Sequence, residues 1–142
     1  MKFTFLRNRF RSDDMILWSK NGVFIEIDKK IMKFPNWEDL REMMYKLEEI
    51  APEAVLYNKR RRYGKDLVVY PDEGKWVLWW KGRFLEMDRE VLKVFPVVLR
   101  YFIRRYHKLM LDYNAFKLHE GFEIETNNAS YKKTRSSGTI ST

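Results

Sequence analysis

The chain has no cysteine and no glutamine, and only two histidines, four prolines and six glycines among its 142 residues. Without cysteine, disulfides and thiolate metal sites are excluded, and the redox state of the compartment is left open. His107, among Arg104, Arg105 and Lys108, and His119 lack partners at metal-binding or catalytic spacing, so both read as ordinary helix or surface residues. No apolar run approaches the ~20 residues of a membrane helix. The opening MKFTFLRNRFRSDD breaks its apolar stretch after Leu6 with charges and lacks a small-residue cleavage site. It does not read as a signal peptide, and a cytoplasmic setting and no membrane partner are expected. Nucleophile motifs, phosphate-binding glycine loops and zinc spacings are missing as well.

What the chain does have is apolar surface and positive charge. Hydrophobic residues make up 45% and aromatics 16%, enough to offset the entropy of ordering one domain of this length. Lysine and arginine number 28 against 20 acidic residues, a net charge of +8, which favours an anionic partner. Abundant Lys, Arg and Glu with no Gln is a composition reported for hyperthermophile proteins.

The main feature is an internal repeat. GVFIEIDKKIMK (Gly22 to Lys33) aligns without a gap with GRFLEMDREVLK (Gly82 to Lys93), with Gly, Phe, Glu, Asp and Lys identical in register. An aromatic, apolar run precedes each block, and a proline follows, Pro35 or Pro96. Asn21-Gly22 is a strong signal for a two-residue hairpin turn, and Lys81-Gly82 holds the same place in the second copy. Asp28-Lys29-Lys30-Ile31 and Asp88-Arg89-Glu90-Val91 suggest second tight turns. Lys2 to Leu6 and Asp66 to Tyr70 supply a first strand to each copy, and helical spacing begins after each proline. Asn36 followed by Asp39 suggests a helix cap.

The expected fold is therefore α+β, a tandem ββββα repeat with antiparallel sheets, helices packed on one face and a pseudo-two-fold relation. Residues 1–126 form one domain, with repeats at about 2–50 and 66–113 and a basic linker over 51–65. Gly121 to Glu125 suggests a short added strand, and residues 127–142 read as a flexible basic tail. A two-residue turn at Asn21-Gly22 puts Ile16, Trp18, Ile25, Ile27, Met32 and Phe34 on the core face, matched by Trp76, Leu78, Leu85, Met87, Leu92 and Val94. Leu17, Ser19, Phe24, Glu26 and Lys33 then lie on the open face, matched by Val77, Trp79, Phe84, Glu86 and Lys93. Glu26 opposes Lys33 and Glu86 opposes Lys93.

That pairing makes the Glu-x-Asp repeats poor metal ligands, and no catalytic residue, metal site or cofactor is expected. The informative group is basic residues interleaved with aromatics: Lys20, Trp80, Lys81 and Arg83 at the hairpin tips, and Phe24, Trp79 and Phe84 on the open face. The densest positive run, Lys59, Arg60, Arg61, Arg62 and Tyr63, joins them. Rings beside cations suit single strands, because unpaired bases stack while phosphates meet Lys and Arg. The other reading is that the rings fill an interface between copies or subunits.

Element order from Lys2 to Tyr113 and the strand-to-helix passage Ile31-Met32-Lys33-Phe34-Pro35-Asn36-Trp37 resemble the Whirly and purine-rich-element repeat proteins. One unit is similar to the coactivator positive cofactor four. The resemblance implies a non-enzymatic protein that binds single-stranded nucleic acid, DNA ahead of RNA, and that pairs into a homodimer or higher oligomer. The KGKAAL-type motif of plant Whirly proteins is absent. The alternative is a structural or protein-interaction module whose aromatic face mediates assembly.

Overall fold

The computed structural model describes residues 3–6 and 9–118, with side-chain detail for 3, 4 and 9–107. The suggested strand at Gly121 to Glu125 and the tail over 127–142 lie outside the described residues.

The fold is α+β and a tandem repeat of antiparallel strands followed by a helix. The first unit is a meander of β1 (Thr4–Leu6), β2 (Arg9–Arg11), β3 (Met15–Ser19), β4 (Val23–Ile27) and β5 (Lys30–Phe34), followed by helix α1 (Trp37–Tyr57). The second is β6 (Arg61–Tyr63), β7 (Leu67–Asp72), β8 (Lys75–Trp80) and β9 (Arg83–Met87), followed by α2 (Arg89–Leu118). The first unit thus has one strand more than expected. Arg9-Phe10-Arg11 alternates exposed, buried, exposed, the pattern of a half-buried strand.

The basic segment expected to be a linker is structured. α1 runs through Pro52 to Tyr57 and stops at Asn58, whose left-handed backbone (φ 50°) closes the helix. Arg61–Tyr63 then forms the edge strand of the second sheet. At the other end of that unit no strand follows Asp88. The backbone amides of Val91 and Leu92 donate to the Asp88 carbonyl and open α2, and Glu90 complements the positive end of the helix. Val91, Leu92, Phe95, Val98, Leu99, Phe102 and Ile103 make a buried helical stripe, so Pro96 lies inside the helix rather than before it. In the first unit the aligned Asp28 and Lys29 both take positive φ (54° and 68°) and make a two-residue turn, so the chain continues as a strand.

Register corrects the expected faces of β3. Ser19, not Lys20, pairs with Val23, so Lys20-Asn21-Gly22 is a three-residue loop. Met15 and Leu17 therefore point into the core, while Ile16 and Trp18 face outward. One added loop residue reverses every side chain of the strand. The weaker signal, Lys81-Gly82, is the true two-residue turn, with φ 47° and 84° and Trp80 opposite Arg83. β4, β5, β8 and β9 keep the expected faces.

α1 and α2 pack antiparallel. Arg89 at the start of α2 donates to the Val55 carbonyl, Arg100 makes two 2.7 Å hydrogen bonds to Glu48, and Tyr106 stacks on Trp37. The sheets stay separate ladders but meet where β5 lies against β9. Lys30 pairs there with Glu86 at 2.5 Å, and Arg83 donates to the Lys33 carbonyl.

One buried carboxylate ties this seam together. Asp39, third residue of α1, gives its backbone amide to the Asn36 side chain. Its carboxylate accepts from Lys81 Nζ (2.9 Å), Arg83 Nη2 (3.2 Å) and Trp80 Nε1 (3.3 Å), all on the β8–β9 hairpin. Burial pushes the Asp39 pKa up, but the donors Lys81, Arg83 and Trp80 outweigh it and hold the carboxyl below its ordinary value.

A carboxyl depressed in the fold stabilises it fully above the ordinary carboxylate pKa of about 4 and loses that contribution as pH falls through the lower folded value. Asp39→Asn should lower stability by about 2–3 kcal/mol at pH 7 and flatten the acid limb of a stability-versus-pH curve below about pH 4. Chemical denaturation across that range checks it; an unchanged acid limb would show that Asp39 does not clamp the repeats. Gly22 (φ 131°) is a second sensitive point, because a Cβ there would lie 3.0 Å from the Phe34 carbonyl oxygen. Gly22→Ala should cost about 1 kcal/mol more than Gly82→Ala, whose added Cβ meets nothing within 4 Å.

Candidate nucleic-acid interface

Strand pairing places four outward side chains of the first sheet in one row. Arg9 pairs with Trp18, Trp18 with Phe24, and Phe24 with Lys33. Alternation sends their neighbours Phe10, Leu17, Ile25 and Met32 into the core, which holds the row on a packed platform. The two rings stack at 5.1 Å between centroids and 9° between planes. Arg9 lies 5.5 Å from the Trp18 centroid and Lys33 lies 5.7 Å from that of Phe24. The row crosses three strand spacings, about 14 Å. Neither Arg9 nor Lys33 has a carboxylate partner among the described residues, so both retain charge for an anion.

The second sheet carries a related row. Arg62 pairs with Val68, Val68 with Trp79, and Trp79 with Phe84. Phe84 is 48% exposed, and Lys30 from across the seam lies 4.9 Å from its centroid. Trp79 is half-buried beside it. In both rows, rings are flanked by cations, and the conserved offset of the repeat puts Phe24 and Phe84 in equivalent positions.

The remaining expected site residues divide. Lys20 is exposed in the β3–β4 loop, and Lys59 is exposed after α1. Arg60 lies over Tyr70, Arg61 is held by Glu53 at 2.6 Å, and Arg62 donates to the Gly64 carbonyl at 3.0 Å. The basic run is therefore partly engaged within the protein. Tyr63 packs against the core beneath Lys46. Trp80 is not at a tip but fully buried, closed to any ligand, because the β8 register turns it inward toward Asp39. Lys81 is held by Asp39 and Glu42, and Arg83 by Asp39, so both serve the seam.

The carboxylates pair differently from expectation. Glu26 lies opposite Ile31 rather than Lys33, because Lys33 pairs with Phe24. Glu86 meets Lys30 of the other sheet, since Lys93 is on α2, and Asp88 holds Lys75 at 2.8 Å. Among the described residues no group of three or more His, Asp or Glu could hold a metal ion.

Arg9, Trp18, Lys30 and Lys33 were not nominated from sequence. A two-residue turn at Asn21-Gly22 puts Trp18 in the core, and the strand pattern read from sequence does not include Arg9. The alternation Arg9-Phe10-Arg11 was the available signal. No helix among the described residues is long and apolar enough to cross a membrane. No family model, no curated protein and no solved structure matches this chain.

Proposed function

We propose that this protein binds single-stranded nucleic acid, DNA ahead of RNA, on the outer face of its sheets, without catalysis. The observation that carries the reading is the in-register row Arg9, Trp18, Phe24, Lys33, where a stacked aromatic pair is flanked by cations that no carboxylate among the described residues neutralises. Unpaired bases find ring surface and phosphates find Arg and Lys at one strand spacing from it. The row Trp79, Phe84 adds ring surface in the second repeat, where the neighbouring cation Lys30 is shared with Glu86; the element order resembles that of single-strand-binding families. Exposed Lys20 in the β3–β4 loop and Arg60 over Tyr70 add positive charge, and Lys59 is exposed after α1. The carboxylates take no chemical role, since Glu86 and Asp88 are tied to Lys30 and Lys75.

The two parts of affinity should separate. Arg9→Ala with Lys33→Ala should flatten the dependence of log K on log salt, each lost phosphate contact removing about 0.7 from the slope. Trp18→Ala should leave the slope alone and cost about 1–3 kcal/mol of binding. Fluorescence anisotropy with a labelled oligonucleotide, single-stranded and duplex, measures both. Equal affinity for duplex, with Trp18→Ala and Phe84→Ala binding like the parent, would assign the aromatic face to subunit assembly instead. Incubation of the labelled strand with Mg²⁺ or Mn²⁺ should leave it intact; cleavage abolished by Glu86→Gln would make the protein a nuclease.

A further inference from the structure

The repeat brings a ring and a cation together twice, and the two copies differ in one respect. In the first, Lys33 lies 5.7 Å from the centroid of Phe24 and contacts no carboxylate among the described residues. In the second, Lys30 reaches across the seam to lie 4.9 Å from the centroid of Phe84, and its Nζ is 2.5 Å from Oε1 of Glu86. Phe84 and Glu86 are two residues apart on β9, so strand alternation sends both to the outer face. A carboxylate oxygen therefore sits where the cation beside a stacked base would hold a backbone phosphate.

We infer that Glu86 occupies a phosphate position of the outer face, and that a bound strand takes Lys30 from it, one phosphodiester exchanging for one carboxylate. This exchange presupposes the single-strand reading of the face and adds to it a phosphate contact. Three observations favour exchange over a permanent pair. The side chains of Lys30 and Glu86 are 48% and 33% exposed, and ion pairs open to water are weak. Carboxylate and phosphodiester are both singly charged acceptors with two free oxygens, so Lys30 changes partner without leaving the Phe84 ring. A displaced Glu86 also has a second cation near it: Lys75, 2.8 Å from Asp88, is held above its ordinary pKa by Asp88 first, with smaller contributions from Asp28 and Glu86. The seam stays closed meanwhile, because Asp39 keeps Trp80, Lys81 and Arg83 across it. The first row thus offers its cations at once, and the second yields Lys30 in exchange.

Anisotropy titrations of a labelled single-stranded oligonucleotide with the full chain, over a range of salt, test the exchange. Glu86→Gln should bind about threefold tighter or more, since no ion pair then has to open. Lys30→Ala should lower the slope of log K against log salt by about 0.7, the share of one phosphate. Glu26, opposite Ile31, holds the equivalent place in the first repeat, so Glu26→Gln removes the same charge without freeing a cation. In the Lys30→Ala background, Glu86→Gln should gain no more than Glu26→Gln gains in the parent. The exchange is overturned if Glu86→Gln binds no tighter than Glu26→Gln, if its gain persists without Lys30, or if Lys30→Ala leaves the slope unchanged. Melting temperatures should stay within about 3 °C of the parent, because a half-exposed pair holds little of the fold. A larger fall would make the pair a structural tie and overturn the exchange as well. Failure of the single-strand reading looks different: parent and Glu86→Gln would both leave the oligonucleotide unbound, or bind duplex equally well, and the exchange would fall with it.

Discussion

A carboxylate removed from water needs donors, and Asp39 finds all of its side-chain donors in the other repeat. Three local devices have to agree for this to happen. The Asn36 cap starts α1 so that Asp39 falls in its first turn. The Lys81-Gly82 turn, with both residues at positive φ, presents Trp80, Lys81 and Arg83 from one hairpin end. The β8 register turns Trp80 inward rather than outward. Arg83 also donates to the Lys33 carbonyl, supplying one hydrogen bond at a seam where β5 and β9 lack a ladder. The buried anion thus works with the Lys30–Glu86 pair and the shared core to fix how the two sheets meet, and with it the relation between the two aromatic rows.

The repeat, the α+β class and the helical stripes were legible because they rest on periodicity that one residue cannot disturb. Leu40, Met44 and Leu47 of α1 and Leu99, Phe102 and Ile103 of α2 are buried as their spacing requires. The faces of β3 were not legible, for a definite reason. Met15-Ile16-Leu17-Trp18 is apolar at every position, so burying either parity satisfies hydrophobicity, and the choice falls to the length of the following loop. Asn21-Gly22 suits a two-residue turn, but the chain uses Lys20 as a third loop residue. The start of α2 was hidden likewise: Val91, Leu92 and Val94 fit strand or helix, and in the fold the amides of Val91 and Leu92 turn back to the Asp88 carbonyl as the first helical hydrogen bonds. Of the candidate site, Phe24, Trp79 and Phe84 were found by sequence, while Arg9, Trp18 and Lys33 depended on register.

The distribution of cations over the sheets has a second physical reading that coexists with ligand binding. Among the described residues the strand edges without a neighbouring strand are β1 and β6, since β5 and β9 lie against one another. β6 is short and carries Arg61 and Arg62, and β2 beside β1 carries Arg9 and Arg11. Positive charge and short length at an open edge discourage pairing with another sheet. The helices follow a different logic, with Arg100 of the basic α2 forked onto Glu48 of the acidic α1, so their opposite charge serves docking.

Among the described residues, every hydrogen-bonded strand neighbour is also a neighbour in sequence. Each meander can therefore form by closing short turns, at little entropic cost, before the other half of the chain has taken shape. The contacts that join the units span far more chain: 41 residues from Asp39 to Trp80, 52 from Glu48 to Arg100 and 56 from Lys30 to Glu86. Contacts within a meander thus close short loops, whereas those between the units close long ones and carry the larger loss of chain entropy. The polar clamp belongs to the second kind, together with the core that the two units share.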